Sequence, residues 1–102
     1  MRTQLVFKAL ADPSRREILK QLQRRSMTAG QLAEVFDMTK GTLSHHFKIL
    51  KEADLVRSEK RAQERVYSIN TTVCEDVATM LFELFGPPRA ELPSAVARRR
   101  QT

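Results

Sequence analysis

The chain has 102 residues, of which 41% are hydrophobic and 29% charged. This length and composition predict one small folded domain rather than a disordered chain or a two-lobed enzyme. Its 18 lysines and arginines outnumber its 12 aspartates and glutamates, which favours a polyanionic partner, nucleic acid before an anionic membrane surface. The single cysteine, Cys74, excludes an internal disulfide and a zinc site built from several cysteines.

The first residues lack the apolar run of a secretion signal. No segment approaches the roughly 20 apolar residues that span a bilayer. With one cysteine, this pattern predicts a cytoplasmic protein without stable membrane insertion.

The first part of the chain predicts two short helices. Residues 3–11 are amphipathic, and this helix ends at Asp12-Pro13 because proline disfavours helical backbone at the residue before it. The same two residues begin a second helix, with Asp12 as the N-cap and Pro13 in the first turn. One face of this helix is apolar, and the opposite face is predicted to be basic and exposed, either simply solvated or in contact with phosphates. The basic residues are Arg15, Arg16, Lys20, Arg24 and Arg25.

Two closely joined helices follow. Thr28 and Gln31 have the spacing of a capping box, which begins a helix that runs to about Phe36. Thr39 is a second N-cap, before a helix from residue 40 to about residue 53. The short connection between them predicts a helix-turn-helix.

The second helix of this pair has two different faces when its residues are spaced at about 100°. The apolar face, predicted to pack in the core, consists of Leu43, His46, Phe47, Leu50 and Ala53. The opposite face is short, polar and basic, which is a kind of face that the major groove of DNA can accept. It consists of Gly41, Ser44, His45 and Lys48, with Lys40 and Thr42 beside the first turn.

The adjacent histidines of this helix are poor candidates for a metal pair or for acid–base catalysis, because neighbouring side chains on a helix point about 100° apart. We expect His46 to be a packed structural residue. We expect His45 to contact DNA, with plain solvation as the alternative.

The remaining residues predict a hairpin and a last helix. Segments 55–60 and 65–69 have the period of strands, and residues 61–64 form the predicted tip. Asn70 then caps a helix that ends at a Gly-Pro-Pro sequence. Its apolar stripe is wider than the outer helix of so small a domain needs, so we expect it to serve in dimerisation rather than only as ordinary core. Residues 1–86 are predicted to be the domain, and 87–102 a flexible basic tail that either adds nonspecific affinity or is inert.

This order of elements, α-α-α-α-β-β-α, is that of a winged helix-turn-helix, mostly α with a small β-hairpin wing. The residues themselves resemble the arsenic-repressor (ArsR-type) family of bacterial transcription regulators. The similar segments are FKALADPSRREIL (7–19), LSHHFKILKEADLV (43–56) and YSIN (67–70), within a resemblance that covers about residues 4–85. Residues 27–30 and 70–73 resemble the branch that contains the autorepressor of the sporulation-delaying-protein system.

The resemblance implies a homodimer held by the first and last helices, with the second helix of the turn motif in the major groove and the wing tip at the flanking backbone. Ser44 and His45 are the candidates for base edges, and the other candidate DNA contacts are Lys40, Thr42, Lys48, Arg61, Gln63 and Arg65. The candidate dimer interface consists of Val6, Phe7, Val73, Val77, Met80, Leu81 and Leu84.

The chain departs from the metal-sensing members of that family. Their third helix carries a cysteine-containing box, whereas residues 31–37 contain no thiol here. Their last helix supplies Asp and His ligands in zinc sensors, whereas this one has Cys74, Glu75 and Asp76 and no histidine. We therefore expect no metal and no other cofactor. Cys74 is expected to be a small packed residue, with a redox switch as the alternative.

These features predict a sequence-specific double-stranded DNA-binding regulator, a repressor of its own or another promoter, that binds a palindromic operator as a dimer. The half-sites are expected about 10 bp, or a small multiple of this, apart. An RNA-binding module is less favoured because Tyr67 and phenylalanines expected to be buried are the only aromatic rings for base stacking. An enzyme is disfavoured because no catalytic set can converge, and a protein adaptor remains an alternative. The inducing signal stays open among a protein partner, Cys74 oxidation, a small ligand and falling abundance.

Overall fold

The computed structural model describes residues 1–88, so the predicted basic tail lies, from residue 89 onward, outside the described residues. The described part has a mostly helical architecture with a small antiparallel sheet. Its elements are α1 (Thr3–Leu10), α2 (Pro13–Arg24), β1 (Met27–Thr28), α3 (Ala29–Val35), α4 (Lys40–Glu52), β2 (Val56–Arg61), β3 (Glu64–Ile69) and α5 (Thr71–Phe85). The predicted winged helix-turn-helix order is confirmed.

Side-chain caps begin four of the five helices. The Asp12 carboxylate accepts from the first amides of α2, and the Thr39 hydroxyl accepts from an amide of α4. Thr28 and Gln31 form the reciprocal hydrogen bonds of a capping box at 3.0 and 2.9 Å. Asn70 accepts from an amide of α5. Because each cap satisfies amides that lack a partner within the helix, these residues determine where the helices begin, as the sequence predicts.

The sheet has three strands in the order β1-β3-β2. The pairing of Arg61 with Glu64 closes the hairpin and leaves a two-residue tip, Ala62-Gln63, shorter than the predicted tip. The sequence analysis missed β1, in which Met27 pairs with Tyr67 of β3. A strand of two residues has no hydrophobic period to detect, and only its partner strand reveals it.

The core confirms the predicted apolar face of α4. Leu43, Phe47, Leu50, Ala53 and the predicted packed histidine, His46, are all buried, and the neighbouring isoleucine is buried with them. The face packs against α1 and β2, which places α4 with its polar side outward.

Arg15 is an exception to the predicted basic face of α2. Its side chain is buried, with the residue only 7% exposed. The guanidinium donates hydrogen bonds to the Lys8 and Ala9 carbonyls at the end of α1 and to His46 of α4. The prediction of an exposed Arg15 is therefore wrong, because acceptors on α1 and α4 replace the water that a buried cation would lose.

Candidate nucleic-acid interface

The polar face of α4 and the tip of the wing carry the predicted DNA contacts, and the structure leaves all eight residues exposed. On α4 they are Lys40, Thr42, Ser44, His45 and Lys48, and on the hairpin they are Arg61, Gln63 and Arg65. An exposed helix face of this kind, with cations on a neighbouring hairpin, offers donors and acceptors to a groove and positive charge to its phosphates.

A groove with a volume of about 370 Å³ lies between the start of α4 and the wing. Its apolar lining includes Leu43, Phe47 and Tyr67. Four of the eight predicted residues line it as well: Lys40, Ser44, Gln63 and Arg65. The groove thus brings α4 and wing candidates together, although the acidic residue Glu64 also lines it.

Two stacked rings connect α4 to the wing. The ring centroids of Phe47 and Tyr67 are 3.8 Å apart, and the ring planes differ by 8°. Burial raises the pKa of the Tyr67 hydroxyl, against the opposing effect of the Arg65 charge. The sequence analysis placed Phe47 in the core but did not detect this pair, since no local pattern links α4 to β3.

Three of the predicted DNA-contacting side chains already have partners within the chain. The Thr42 hydroxyl accepts a hydrogen bond from the Thr39 hydroxyl at 2.9 Å. Arg61 pairs with Glu59 at 3.2 Å, and Arg65 donates to Ser58 at 3.0 Å. The arginine contacts lie at the surface, where such interactions are weak, so both arginines can exchange them for phosphate.

Cys74 is partly buried at the start of α5, and its thiol contacts the Leu55 carbonyl at 3.9 Å. Burial raises the pKa of this thiol. Because the thiolate is the reactive form, the environment works against the redox role that the sequence left open. Residues 1–88 contain no group of three or more His, Cys, Asp or Glu side chains that could hold a metal ion. Within the same residues, no helix is both long enough and apolar enough to cross a membrane.

Apolar surface remains on α1 and α5. Phe7, Phe82, Leu84 and Phe85 are exposed large hydrophobic residues of these helices. Neither Phe82 nor Phe85 was among the predicted interface residues, and the prediction that the phenylalanines are buried is wrong within the single chain for Phe7, Phe82 and Phe85. By contrast, Val6 and Val77 are buried within the single chain rather than exposed on these helices.

The fold and the exposed face of α4 define a winged helix-turn-helix DNA-binding regulator. Comparison of the sequence with known protein families and proteins agrees with this class. The family model described as "Bacterial regulatory protein, arsR family" matches residues 12–58. The transcriptional repressor SdpR of Bacillus subtilis (strain 168) is 48% identical over 71 residues, which cover 70% of this chain and 79% of SdpR. The arsenical resistance operon repressor of the same strain is 40% identical over 78 residues, or 76% of this chain and 71% of that protein.

A solved structure supports the same class. The ArsR-like transcriptional regulator from Rhodococcus sp. RHA1 superposes with a TM-score of 0.74 at 28% identity, covering 96% of this chain and 86% of that one. The chain belongs to the arsR family of bacterial regulatory proteins. It is a DNA-binding transcriptional regulator.

Proposed function

We propose that this regulator represses transcription by binding, as a symmetric dimer, to a palindromic operator. The observation that carries the proposal is the exposed polar face of α4 beside the cations of the wing. Support for repression comes from the names of the two curated relatives, both of which are called repressors.

The proposal assigns roles by chemistry and position. Ser44 and His45 lie mid-face on α4 and contact base edges, whereas Lys40 and Lys48 contact bases or phosphates. The Thr42 hydroxyl is hydrogen-bonded to Thr39 in the first turn of α4, and in this proposal Thr42 contacts the DNA backbone. From the wing, Arg61, Gln63 and Arg65 contact the flanking backbone or the adjacent minor groove.

Dimerisation uses the apolar surface of α1 and α5. Val6 and Val77 offer almost no area to a second copy, so they support the interface from beneath. The proposed surface contacts are Phe7, Val73, Met80, Leu81 and Leu84, to which the exposure of α5 adds Phe82 and Phe85. Burying such side chains in a shared core is the main favourable term in forming an obligate dimer.

The proposal includes no catalytic activity, no metal and no other cofactor, and it places the protein in the cytoplasm. Residues 1–86 form the DNA-binding and dimerisation unit in this proposal. Because burial raises the pKa of the Cys74 thiol, oxidation is disfavoured as the releasing signal relative to a protein partner, a small ligand or falling abundance.

Selection from a random duplex pool, followed by fluorescence anisotropy, tests this function. Wild-type protein is expected to select an imperfect palindrome, to bind it as two protomers, and to prefer it to a scrambled duplex by about 10³-fold or more. Both affinities should fall steeply between roughly 50 and 300 mM salt, because counterions are released from DNA. Selection of no common sequence, with equal weak binding to all duplexes, would contradict the proposal.

Transcription in vitro tests the sign of regulation and the possibility of self-regulation. A template that carries the DNA upstream of the protein's own gene is expected to yield less transcript as the protein is added. A template in which the selected site is scrambled is the control. More transcript on the intact template would show an activator instead.

A further inference from the structure

A buried arginine joins three helices of the domain. Arg15 Nε donates to the Ala9 carbonyl at 2.8 Å, and Nη2 donates to the Lys8 carbonyl at 3.0 Å. These carbonyls end α1, where the partial negative charge of the helix terminus favours a cation. The third contact of the same guanidinium, from Nη1, reaches His46 Nδ1 at 3.2 Å. One side chain therefore links α1 and α2 to the middle of α4.

The chemistry of this contact fixes the state of the histidine. A guanidinium only donates hydrogen bonds, so His46 Nδ1 must accept, and the ring is neutral with its proton on Nε2. Among the groups that face the ring, Asp12 and Arg15 come from the start of α2 and His45 from α4 itself, while α1 contributes the carbonyls that hold Arg15. Asp12 lies 3.7 Å from Arg15 and partly balances its charge.

We propose that Arg15 is a positioning residue for DNA recognition, which sets the rotation of α4 through its hydrogen bond to His46 and does not itself contact DNA. His46 directly follows His45 and lies two residues after Ser44, the two proposed base contacts. Apart from the Phe47–Tyr67 stack, the remaining core contacts of α4 are apolar and have no direction, whereas a hydrogen bond from a guanidinium that two carbonyls hold in place specifies an angle. The inference rests on the proposed base contacts of α4.

The neighbouring residue supplies a matched control. Arg16 is exposed, and its Nη1 donates to the Leu10 carbonyl at 2.7 Å, whereas its side chain makes no hydrogen bond or ion pair with α4 within residues 1–88. R15Q and R16Q remove the same charge from adjacent positions of one helix. Only R15Q removes the hydrogen bond to His46.

Anisotropy with the selected and scrambled duplexes separates positioning from charge. R15Q is expected to weaken binding to the selected duplex about tenfold more than R16Q does, a size typical of coupling between positions that do not touch the ligand. Binding to the scrambled duplex and the salt dependence should be equal in the two variants, because neither residue is among the proposed DNA contacts. Equal losses on the selected duplex would overturn the proposal.

Two substitutions of His46 test the same proposal if R15Q does not fold. In H46N the side-chain oxygen occupies the place of Nδ1 and accepts from Arg15, whereas H46F fills the space without an acceptor. H46N is expected to retain the preference for the selected duplex and H46F to lose about tenfold of it. An equal preference for the selected duplex in H46N and H46F would contradict the proposal.

A measurement without DNA distinguishes failure of this inference from failure of the proposed function. Amide hydrogen exchange in α4 is expected to be faster in R15Q than in R16Q, whatever duplex the protein prefers. If wild type selects no duplex but this difference holds, the proposed operator binding fails while the hydrogen bond still positions α4. Equal exchange in the two variants would show that Arg15 does not hold the helix.

Discussion

The rings of Phe47 and Tyr67 lie face to face, with centroids 3.8 Å apart, and they join the middle of α4 to the centre of the wing. Both residues are buried, and Tyr67 also pairs with Met27 of β1. Helix α4, which carries the proposed base contacts, and the hairpin beside it are therefore one packed unit, whose relative position is set before DNA binds.

This stack predicts a difference between two substitutions. Tyr67→Ala is expected to lower the free energy of unfolding by about 3–5 kcal/mol, because it removes a buried ring and leaves a cavity beside Phe47. Tyr67→Phe keeps the ring and should change the stability by less than about 1 kcal/mol. Urea unfolding followed by circular dichroism measures both. A large loss in Tyr67→Phe would mean that the hydroxyl, not the stack, stabilises the wing.

The sequence predicts most of this fold because its signals are local. Each cap, such as Thr39, acts on amides within three residues, and the faces of α4 follow from helical periodicity. The missed features are long-range. Arg15 has the polarity of a surface residue, and its partner His46 is 31 positions away. The Phe47–Tyr67 stack is likewise absent from any local pattern, as is the pairing of β1.

For the candidate site as well, local patterns predict some features and miss those that depend on long-range packing. Exposure of all eight proposed DNA-contacting residues agrees with the helical period and the hairpin pattern. Their mutual arrangement does not follow from those patterns, since the groove that four of them line is built from α3, α4 and the wing, which are separate in sequence. The same holds for Val6, whose spacing suits the surface of α1 but whose side chain is enclosed by the core.

The end of α4 predicts a stabilising substitution. Asp54 has a φ of 59°, and its amide bonds to the Lys51 carbonyl while the Leu55 amide bonds to Leu50, which is a Schellman motif. A left-handed conformation costs a residue with a Cβ more than it costs glycine, so Asp54→Gly is expected to raise the free energy of unfolding by about 1 kcal/mol.

The adjacent alanine is the control for that substitution. Ala53 has a right-handed helical φ of −83° and is fully buried. Ala53→Gly should therefore lower the stability, by about 1 kcal/mol, when both variants are compared by urea unfolding. If the two glycines have the same effect, the left-handed backbone at position 54 is not strained.

Phosphate and base contacts are expected to differ in their dependence on salt. Lys40→Ala should weaken binding to the selected and scrambled duplexes alike and reduce the slope of log K against log salt by about 0.9, the value for one phosphate contact. Ser44→Ala should leave that slope unchanged and lower the preference for the selected duplex. Anisotropy over a salt series measures both quantities. A reduced slope in Ser44→Ala would reassign that residue to the backbone.

The buried histidine predicts loss of stability in mild acid. Burial lowers the pKa of His46 below its ordinary value of 6.5, and the Arg15 charge lowers it further, against the opposing effect of Asp12. The unfolded chain then takes up a proton at a higher pH than the folded chain does. The contribution of His46 to the free energy of unfolding is therefore fully present above pH 6.5. It falls as the pH decreases from 6.5 toward the pKa of His46 in the folded chain.

Comparison with H46N isolates this effect. H46N retains His45 and every carboxylate, so its stability should fall less steeply than that of wild type between pH 7 and 5. The lowered pKa of Asp12 acts in a separate window, below its ordinary value of 3.8. Thermal unfolding at a series of pH values gives the two curves. Parallel curves would show that His46 takes up no proton on unfolding in this range.

The exposed apolar residues of α5 predict the effect of one charge on assembly. Leu84 is 65% exposed in the single chain, and Leu84→Glu is expected to shift the protein from dimer to monomer, since a charge would be buried in the proposed interface. Val35 of α3 is 50% exposed and lies outside that interface, so Val35→Glu is the control and should remain dimeric. Sedimentation equilibrium over a concentration series measures the association. The monomeric variant should also bind the selected duplex far more weakly, because each protomer then binds its half-site independently of the other protomer. A dimer that survives Leu84→Glu but not Val35→Glu would move the interface to the α3 side of the domain.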